Sequence, residues 1–153
     1  HSYIVNDEYI SLGIIKHLKN LGVNILTHEM IKKEKREISS LDQNKPSFWF
    51  YNRQIMGATY HLMNKVKKKV DGIIQVTAFG CGPDSLVKEL ISIKSKNRKD
   101  SFLLNIDLDE HSGEAGLITR LEAFVDLLER RKTHEKNNFS SPGKFKNSHE
   151  SSI

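Results

Sequence analysis

The sequence predicts an α/β fold, in which a four-stranded, mostly parallel, doubly wound sheet lies between helices in three αβα layers. Four short β-rich runs lie at residues 2–5, 23–27, 72–79 and 102–107. Helical apolar patterns lie between and after these runs, and this alternation is typical of a parallel sheet covered on both faces. The run at 72–79 is nearly all apolar, as expected for a strand that is buried on both faces.

The four strands are predicted from their residue types. Residues 2–5 (SYIV), 23–27 (VNILT) and 102–107 (FLLNID) combine β-branched, aromatic and other apolar residues, which favour strands. The run at 72–79 (GIIQVTAF) begins at the glycine of the turn pair Asp71 and Gly72, which separates it from the preceding helical pattern.

The helices are predicted from apolar residues spaced three and four apart. They cover residues 7–21, 48–69, 83–96 and 112–130, and the charged segment 29–47 predicts a short helix and a surface loop. In chain order, the apolar stripes are Ile10, Ile14, Leu18 and Leu21; Ile55, Thr59, Leu62 and Val66; Leu86, Leu90 and Ile93; and Leu117, Leu121, Phe124, Val125 and Leu128. Together with the strands, they indicate a flavodoxin-like or Rossmann-like arrangement.

The length of 153 residues fits one compact domain. We predict an α/β domain over residues 1–130 and a polar tail over residues 131–153, which we expect to be disordered or derived from cloning. Because the chain begins with His1 and enters a β-rich run at once, we expect it to be a piece of a longer polypeptide.

Charge and composition exclude several classes of function. The net charge is +5, but residues from Arg131 onward hold five basic and two acidic groups, so the predicted domain is close to neutral. A nucleic-acid partner is therefore not expected. No window approaches the roughly 18 apolar residues of a membrane span. The one cysteine can neither form an internal disulfide nor complete a metal site alone.

Cys81 is the first candidate site residue. It follows the third predicted strand and precedes a helix that begins near Pro83, so it lies where ligands gather in open parallel sheets. Gly80 and Gly82 leave room for a bulky group beside it. A helix N-terminus favours a thiolate, which is both the nucleophile and the metal ligand. A small thiol packed in the interior and a Cys–His hydrolase with His111 as base are open alternatives.

A second candidate site follows the fourth predicted strand, where Asp109, Glu110, His111 and Glu114 lie close together in the sequence. Glu114, and in part Asp109, suit the start of the next helix. His111 can transfer a proton, bind a metal or bond the backbone. The aromatic residues at 48–51 are expected to pack in the core of the domain.

Three segments resemble a known family: HSY at 1–3 with NDEY at 6–9, FGCGPDS at 79–85, and DEHSGEAGLITRLEAF at 109–124. They are similar to the 2-hydroxyacyl-CoA dehydratase D-component superfamily, and in particular to proteins described as acyl-CoA dehydratase activase-related or CoA-substrate-specific enzyme activases. The resemblance covers about residues 1–130. Members of that superfamily hold iron–sulfur clusters between flavodoxin-like domains through cysteines from more than one domain.

The resemblance implies that Cys81 is a ligand of a [4Fe–4S] cluster in a longer, cytoplasmic parent protein. Other domains of that protein would supply the remaining ligands, and an ATPase activator or a dehydratase subunit would be the partner in electron transfer. The resemblance implies an acyl-CoA as the substrate class and does not identify the acyl group. The loop at Asp109, Glu110 and His111 matches the family's acidic-histidine loop. We expect this piece alone to be inactive and to purify without metal.

Two other functions remain open. The chain can be a scaffold or docking domain that carries no chemistry, in which case Cys81 should be fully buried. It can also be a small-molecule or phosphate-binding module at the switch point of the sheet, lined by Asn6, Gly80, Gly82 and Gly113.

Overall fold

The computed structural model of the chain describes residues 2–41, 49–65, 70–96 and 102–139. These residues form mostly helices. In chain order, the elements are α1 (Ser2–Asn6), α2 (Ile14–Asn20), a 3-10 turn (His28–Met30), α3 (Lys33–Leu41), α4 (Phe50–Lys65), β1 (Ile73–Ala78), α5 (Gly82–Lys96), β2 (Leu103–Leu108) and α6 (Glu114–Phe139).

The two strands of the described part form a parallel pair connected by α5. Their register pairs Ile73 with Leu103 at one end and Ala78 with Leu108 at the other. One further bond extends the ladder, because the Phe79 N–H donates to the Leu108 carbonyl at 2.8 Å. Both strands therefore end at the same edge of the sheet, which we call the carboxyl edge.

Helices pack against both faces of the strand pair because side chains alternate between the faces along each strand. Ile106 and Leu108 face α2 and α6 and form one core with Ile14, Leu18, Leu117, Leu121 and Val125. Ile73 and Leu103 face α4 and α5 and pack against a second core, formed by Met56, Tyr60, Met63, Val87 and Ile91. Each strand thus contributes to both cores.

The prediction of a four-stranded doubly wound sheet is wrong. Only two of the four predicted segments are β-strands in the described part of the chain, and they form a two-stranded sheet. Residues 2–5 belong to α1, whose Tyr3 carbonyl accepts the Asp7 N–H at 3.1 Å. In segment 23–27, partly buried Val23 and Ile25 pack against the α2–α6 core, but the segment joins no ladder. Residues that favour strands are those that fit a half-buried surface. Both segments lie against such a surface without pairing with another strand.

The predicted helices differ from the observed ones mainly at their ends. α2 begins at Ile14 rather than near residue 7, because Leu12 and Gly13 have positive φ angles of 52° and 69° that an α-helix does not allow. α6 continues to Phe139 and so includes the start of the predicted tail. Its Lys132 Nζ lies 2.7 Å from an Asp71 carboxylate oxygen. Residues 140–153 of that tail lie outside the described residues.

The aromatic residues before and in the first turn of α4 are exposed, so the prediction of core packing is wrong for them. Trp49, Phe50 and Tyr51 each expose roughly half of their surface; Phe48 lies outside the described residues. The Asn52 amide, at the same end of α4, donates to the buried Asp84 carboxylate at 3.2 Å. This contact places the start of α4 against the start of α5.

Helices α3 and α4 approach most closely at Gly57. A Cβ atom added there would overlap the backbone carbonyl of Arg36, which cannot move away as a flexible side chain could. Gly116, in the first turns of α6, is exposed, and an added Cβ would meet no atom within 4 Å. A methyl group is therefore excluded at Gly57 and has free space at Gly116.

We predict that Gly57→Ala lowers the free energy of unfolding by about 2–3 kcal/mol, because α3 must shift to admit the methyl group. Gly116→Ala is the matched control and should raise the free energy of unfolding by about 0.5–1 kcal/mol through helix propensity. Urea unfolding followed by circular dichroism measures both changes. Equal effects of the two substitutions would contradict the close approach of α3 to α4.

Candidate functional site

The carboxyl edge brings two of the predicted site loops together. The loop at 79–81 follows β1, and the loop at 109–113 follows β2. Because Ala78 and Leu108 are register partners, the two loops leave adjacent strands at the same level. They lead into the N-termini of α5 and α6.

Cys81 directly precedes α5 and begins its hydrogen bonding. Its N–H donates to the Ala78 carbonyl at 3.2 Å, and its own carbonyl accepts the Ser85 N–H at 2.9 Å. The residue is partly exposed and forms no disulfide. Gly80 has a φ angle of 77°, which glycine adopts without strain. A Cβ added at Gly80 or at Gly82 would meet no atom within 4 Å, so the space beside both neighbours of Cys81 is open.

Asp109 organises the second loop. Its Oδ1 accepts the His111 N–H at 3.0 Å and the Ser112 hydroxyl at 2.7 Å, while the Asp109 N–H donates to the Ser112 Oγ at 2.9 Å. The hydrogen bond from the Ser112 side chain is the main cause that holds the pKa of Asp109 below its ordinary value. Asp109 is thus an ionised residue that shapes the loop.

The other polar residues of this loop face solvent or α2. The His111 and Glu110 side chains are 86% and 82% exposed, with His111 Nε2 3.7 Å from Glu110 Oε1. Glu114 Oε1 lies 3.1 Å from Nε2 of His17, which ties the start of α6 to α2. Glu114 therefore has a structural partner, whereas Glu110 and His111 are available to a molecule outside the chain.

Asn6 has a different environment from the glycines with which it was grouped. Its amide donates to a carboxylate oxygen of Glu29 at 3.3 Å. A carboxylate repels an anionic ligand, so this pairing does not favour a phosphate site at Asn6. In the described part of the sheet there is also no reversal of strand order, which a topological switch point requires.

A polar layer beneath α5 was not predicted from the sequence. The Lys88 ammonium lies 2.7 and 2.8 Å from the two carboxylate oxygens of Asp107, and the buried Thr77 hydroxyl donates to the same carboxylate. The Asn105 amide donates to the Ser92 hydroxyl at 2.9 Å. The sequence does indicate this layer, because each of the two otherwise apolar strands holds two polar residues spaced two apart, and such residues share one face of the sheet.

Asp107 is the acidic residue of this layer. The hydrogen bond from Lys88 is the largest cause that holds the pKa of Asp107 below its ordinary value, followed by the hydrogen bond from Thr77. Burial opposes both but is the weaker effect. The carboxylate is thus ionised at neutral pH, and the positive charge of Lys88 balances its negative charge.

Across residues 2–41, 49–65, 70–96 and 102–139, no three His, Cys, Asp or Glu side chains lie close enough together to hold a metal ion. Nor does any helix in those ranges have the length and apolar character needed to cross a bilayer. Cys81 is thus the one thiol that the chain offers to a metal, and it is not part of a ligand cluster within the described residues.

No family model, curated protein or solved structure matches the chain. The family resemblance of the three segments stays a prediction. The case for a function therefore rests on the residues at the carboxyl edge.

We predict that Asp107→Asn lowers the free energy of unfolding by about 1 kcal/mol at pH 7, because Lys88 loses its charged partner. A carboxylate whose folded pKa is lowered stabilises the fold above its unfolded pKa of about 4, and this stabilisation is lost as the pH falls through the folded value. The difference between the variant and the wild type should therefore shrink toward pH 2 in urea unfolding curves.

The control is Glu8→Gln, which removes the ion pair of Glu8 with Lys16, in which both side chains are about 70% exposed. It should change stability little at any pH. A pH-independent effect of Asp107→Asn would show that the ion pair with Lys88 does not stabilise the fold.

Proposed function

We propose that this chain contributes Cys81 as one thiolate ligand to a [4Fe–4S] cluster, whose other ligands come from further domains of a parent protein or from a partner subunit. The observation that carries the proposal is the position of Cys81, partly exposed at the carboxyl edge between two glycines with open space beside them. The N-terminus of α5 favours negative charge at this point.

The residues of the chain fit such a shared cluster. A [4Fe–4S] cluster is held by four ligands, usually cysteine thiolates, and the sequence contains one cysteine. At least three ligands must then come from elsewhere, which requires the Cys81 side of the molecule to face another polypeptide. When bound, the cluster would accept and donate single electrons. The chain's own task is to hold one thiolate in a fixed position at the end of a rigid strand–helix unit.

The loop at 109–113 follows β2, which is adjacent to β1, the strand that leads to Cys81. The charge of this loop would therefore act on the same site. Asp109 is held ionised by the Ser112 hydroxyl, and Glu110 adds a second exposed carboxylate. Negative charge beside an iron–sulfur cluster disfavours its reduced form and so lowers its reduction potential. This acidic loop is therefore consistent with a low-potential centre.

The resemblance of the three segments extends the proposal to an ATP-coupled redox protein related to the 2-hydroxyacyl-CoA dehydratases and their activators. An ATPase would be the electron donor, and a CoA ester would be the substrate of the complete system. Such a site requires a reduced thiol, which favours the cytoplasm.

The test is anaerobic reconstitution of the full-length parent protein with ferrous iron and sulfide. We predict that Cys81→Ala loses about one iron in four or the whole cluster, seen in iron analysis, visible absorbance and electron paramagnetic resonance. The matched control is Ser85→Ala, one turn further along α5, which leaves the thiol in place and should retain the full iron content. Unchanged iron content and spectra in Cys81→Ala would exclude Cys81 as a ligand.

A second candidate function is a docking domain without chemistry. The partial exposure of Cys81 differs from the fully buried thiol expected for such a domain, but a different observation favours it. Phe79 and Leu86, on either side of Cys81 in the sequence, expose 75% and 51% of their surfaces, and Trp49, Phe50 and Tyr51 are exposed where α4 meets α5. Exposed apolar residues close together mark surfaces that a partner covers. In the reconstituted parent protein, docking alone predicts that Phe79→Ser disrupts assembly while Cys81→Ala leaves both assembly and iron content unchanged.

A further inference from the structure

Gln75 and Asn105 occupy the middle of the polar layer beneath α5. They are register partners in β1 and β2, so their side chains project from the same face of the sheet. Gln75 is 8% exposed. The apolar residues Ile73 and Leu103 precede them on that face, and Thr77 and Asp107 follow them. The two amides are thus enclosed between an apolar layer and an ion pair.

Each of these amides has a buried oxygen for which the described protein atoms provide no hydrogen-bond donor. The atoms are Gln75 Oε1 and Asn105 Oδ1. A buried amide oxygen without a donor is unfavourable, so nearly all such groups in folded proteins have a protein or water partner. Because they belong to register partners, one donor between the strands would satisfy both oxygens.

The Asn105 amide is hydrogen-bonded to Ser92 of α5. The Ser92 hydroxyl donates to the Lys88 carbonyl at 2.8 Å, so its hydrogen is already used. Its oxygen accepts in turn from Asn105 Nδ2, which lies 2.9 Å away. Reversing the amide would require the Ser92 hydroxyl to turn away from the Lys88 carbonyl. In the observed arrangement, Asn105 Oδ1 faces away from Ser92 and has no donor among the described protein atoms.

We propose that one buried water molecule bridges Gln75 Oε1 and Asn105 Oδ1. Water carries two donors, which matches two acceptors without protein partners. Neighbouring strands lie about 4.8 Å apart, and the two O–H bonds of a water molecule, about 105° apart, reach two oxygens about 4.5 Å apart at ordinary hydrogen-bond lengths. The site is a binding site for one water molecule between β1 and β2, and it does not depend on the proposed function of Cys81.

A cation is the other occupant that two amide oxygens attract, and the surrounding charges disfavour it. The nearby carboxylate of Asp107 is already bonded to Lys88 and Thr77. The Lys88 ammonium repels a second cation in the same layer. Two neutral oxygens are also far fewer ligands than the six to eight that a calcium ion takes.

Water-oxygen magnetic relaxation dispersion of the full 153-residue chain tests the proposal by counting long-lived internal water molecules. Gln75→Met keeps the length of the side chain and removes the acceptor. We expect this variant and Asn105→Leu each to lose one long-lived water relative to the wild type, and the double variant to lose the same one. Asn64→Leu, at an exposed amide on α4, is the control and should lose none.

Three results would overturn the proposal. Gln75→Met could retain every long-lived water, or the double variant could lose two, which would show separate hydration of the two oxygens. Chemical shifts of the Asn105 amide could change when sodium chloride is replaced by choline chloride, which would indicate a cation. A crystal structure of the wild type gives a test that needs no variant: we expect a water peak within hydrogen-bond distance of both oxygens, and a protein donor there would contradict it.

Discussion

The parallel hydrogen-bonded pairing of β1 with β2 is the interaction on which the rest of the molecule depends. The register from Ile73–Leu103 to Ala78–Leu108 fixes which side chains face each layer of helices. It gives Ile106 and Leu108 to the core with α2 and α6, and Ile73 and Leu103 to the core with α4 and α5. A shift of one residue would turn each of these side chains to the opposite face. The pairing thus holds the two cores and the carboxyl edge in one arrangement.

The chemistry of the molecule is divided between two levels of this strand pair. Cys81 and the loop shaped by Asp109 lie at the carboxyl edge, where they are accessible to another molecule. The pair of Lys88 with Asp107 lies between α5 and β2, where the Asp107 carboxylate also accepts a hydrogen bond from Thr77. The edge thus offers a thiol and exposed carboxylates, next to an ion pair whose two charges balance each other. Such separation suits a residue that must hold a ligand in a fixed position.

The sequence predicted the elements whose pattern is long or strongly apolar. The runs at 72–79 and 102–107 became β1 and β2, and the three-to-four spacing of apolar residues located α4, α5 and α6. The short runs at 2–5 and 23–27 have similar composition, but their structure depends on the surface against which Ile4 and Val23 pack. That surface forms only in the folded molecule, so four or five residues cannot specify it. The positive φ of Leu12, which delays the start of α2, has no signal in its residue type.

For the candidate site, the sequence predicted the two loops at the carboxyl edge but misjudged their relation to Asn6 and to the polar layer. Asn6 was grouped with Gly80 and Gly82 because a strand was expected before it, and with α1 in that place it pairs with Glu29. The polar layer was visible as Gln75 and Thr77 within an apolar run. Its partners on α5 could be identified only from the packing of that helix on the sheet.

The central claim is that Cys81 and the acidic loop leave the sheet at the same edge, and this claim depends on one end of the ladder. Nuclear magnetic resonance can detect the scalar coupling across the hydrogen bond from the Phe79 amide nitrogen to the Leu108 carbonyl carbon. We expect a coupling between these two nuclei in the full chain. A coupling of the Phe79 nitrogen to a different carbonyl of residues 102–108 would contradict the register and separate the two loops.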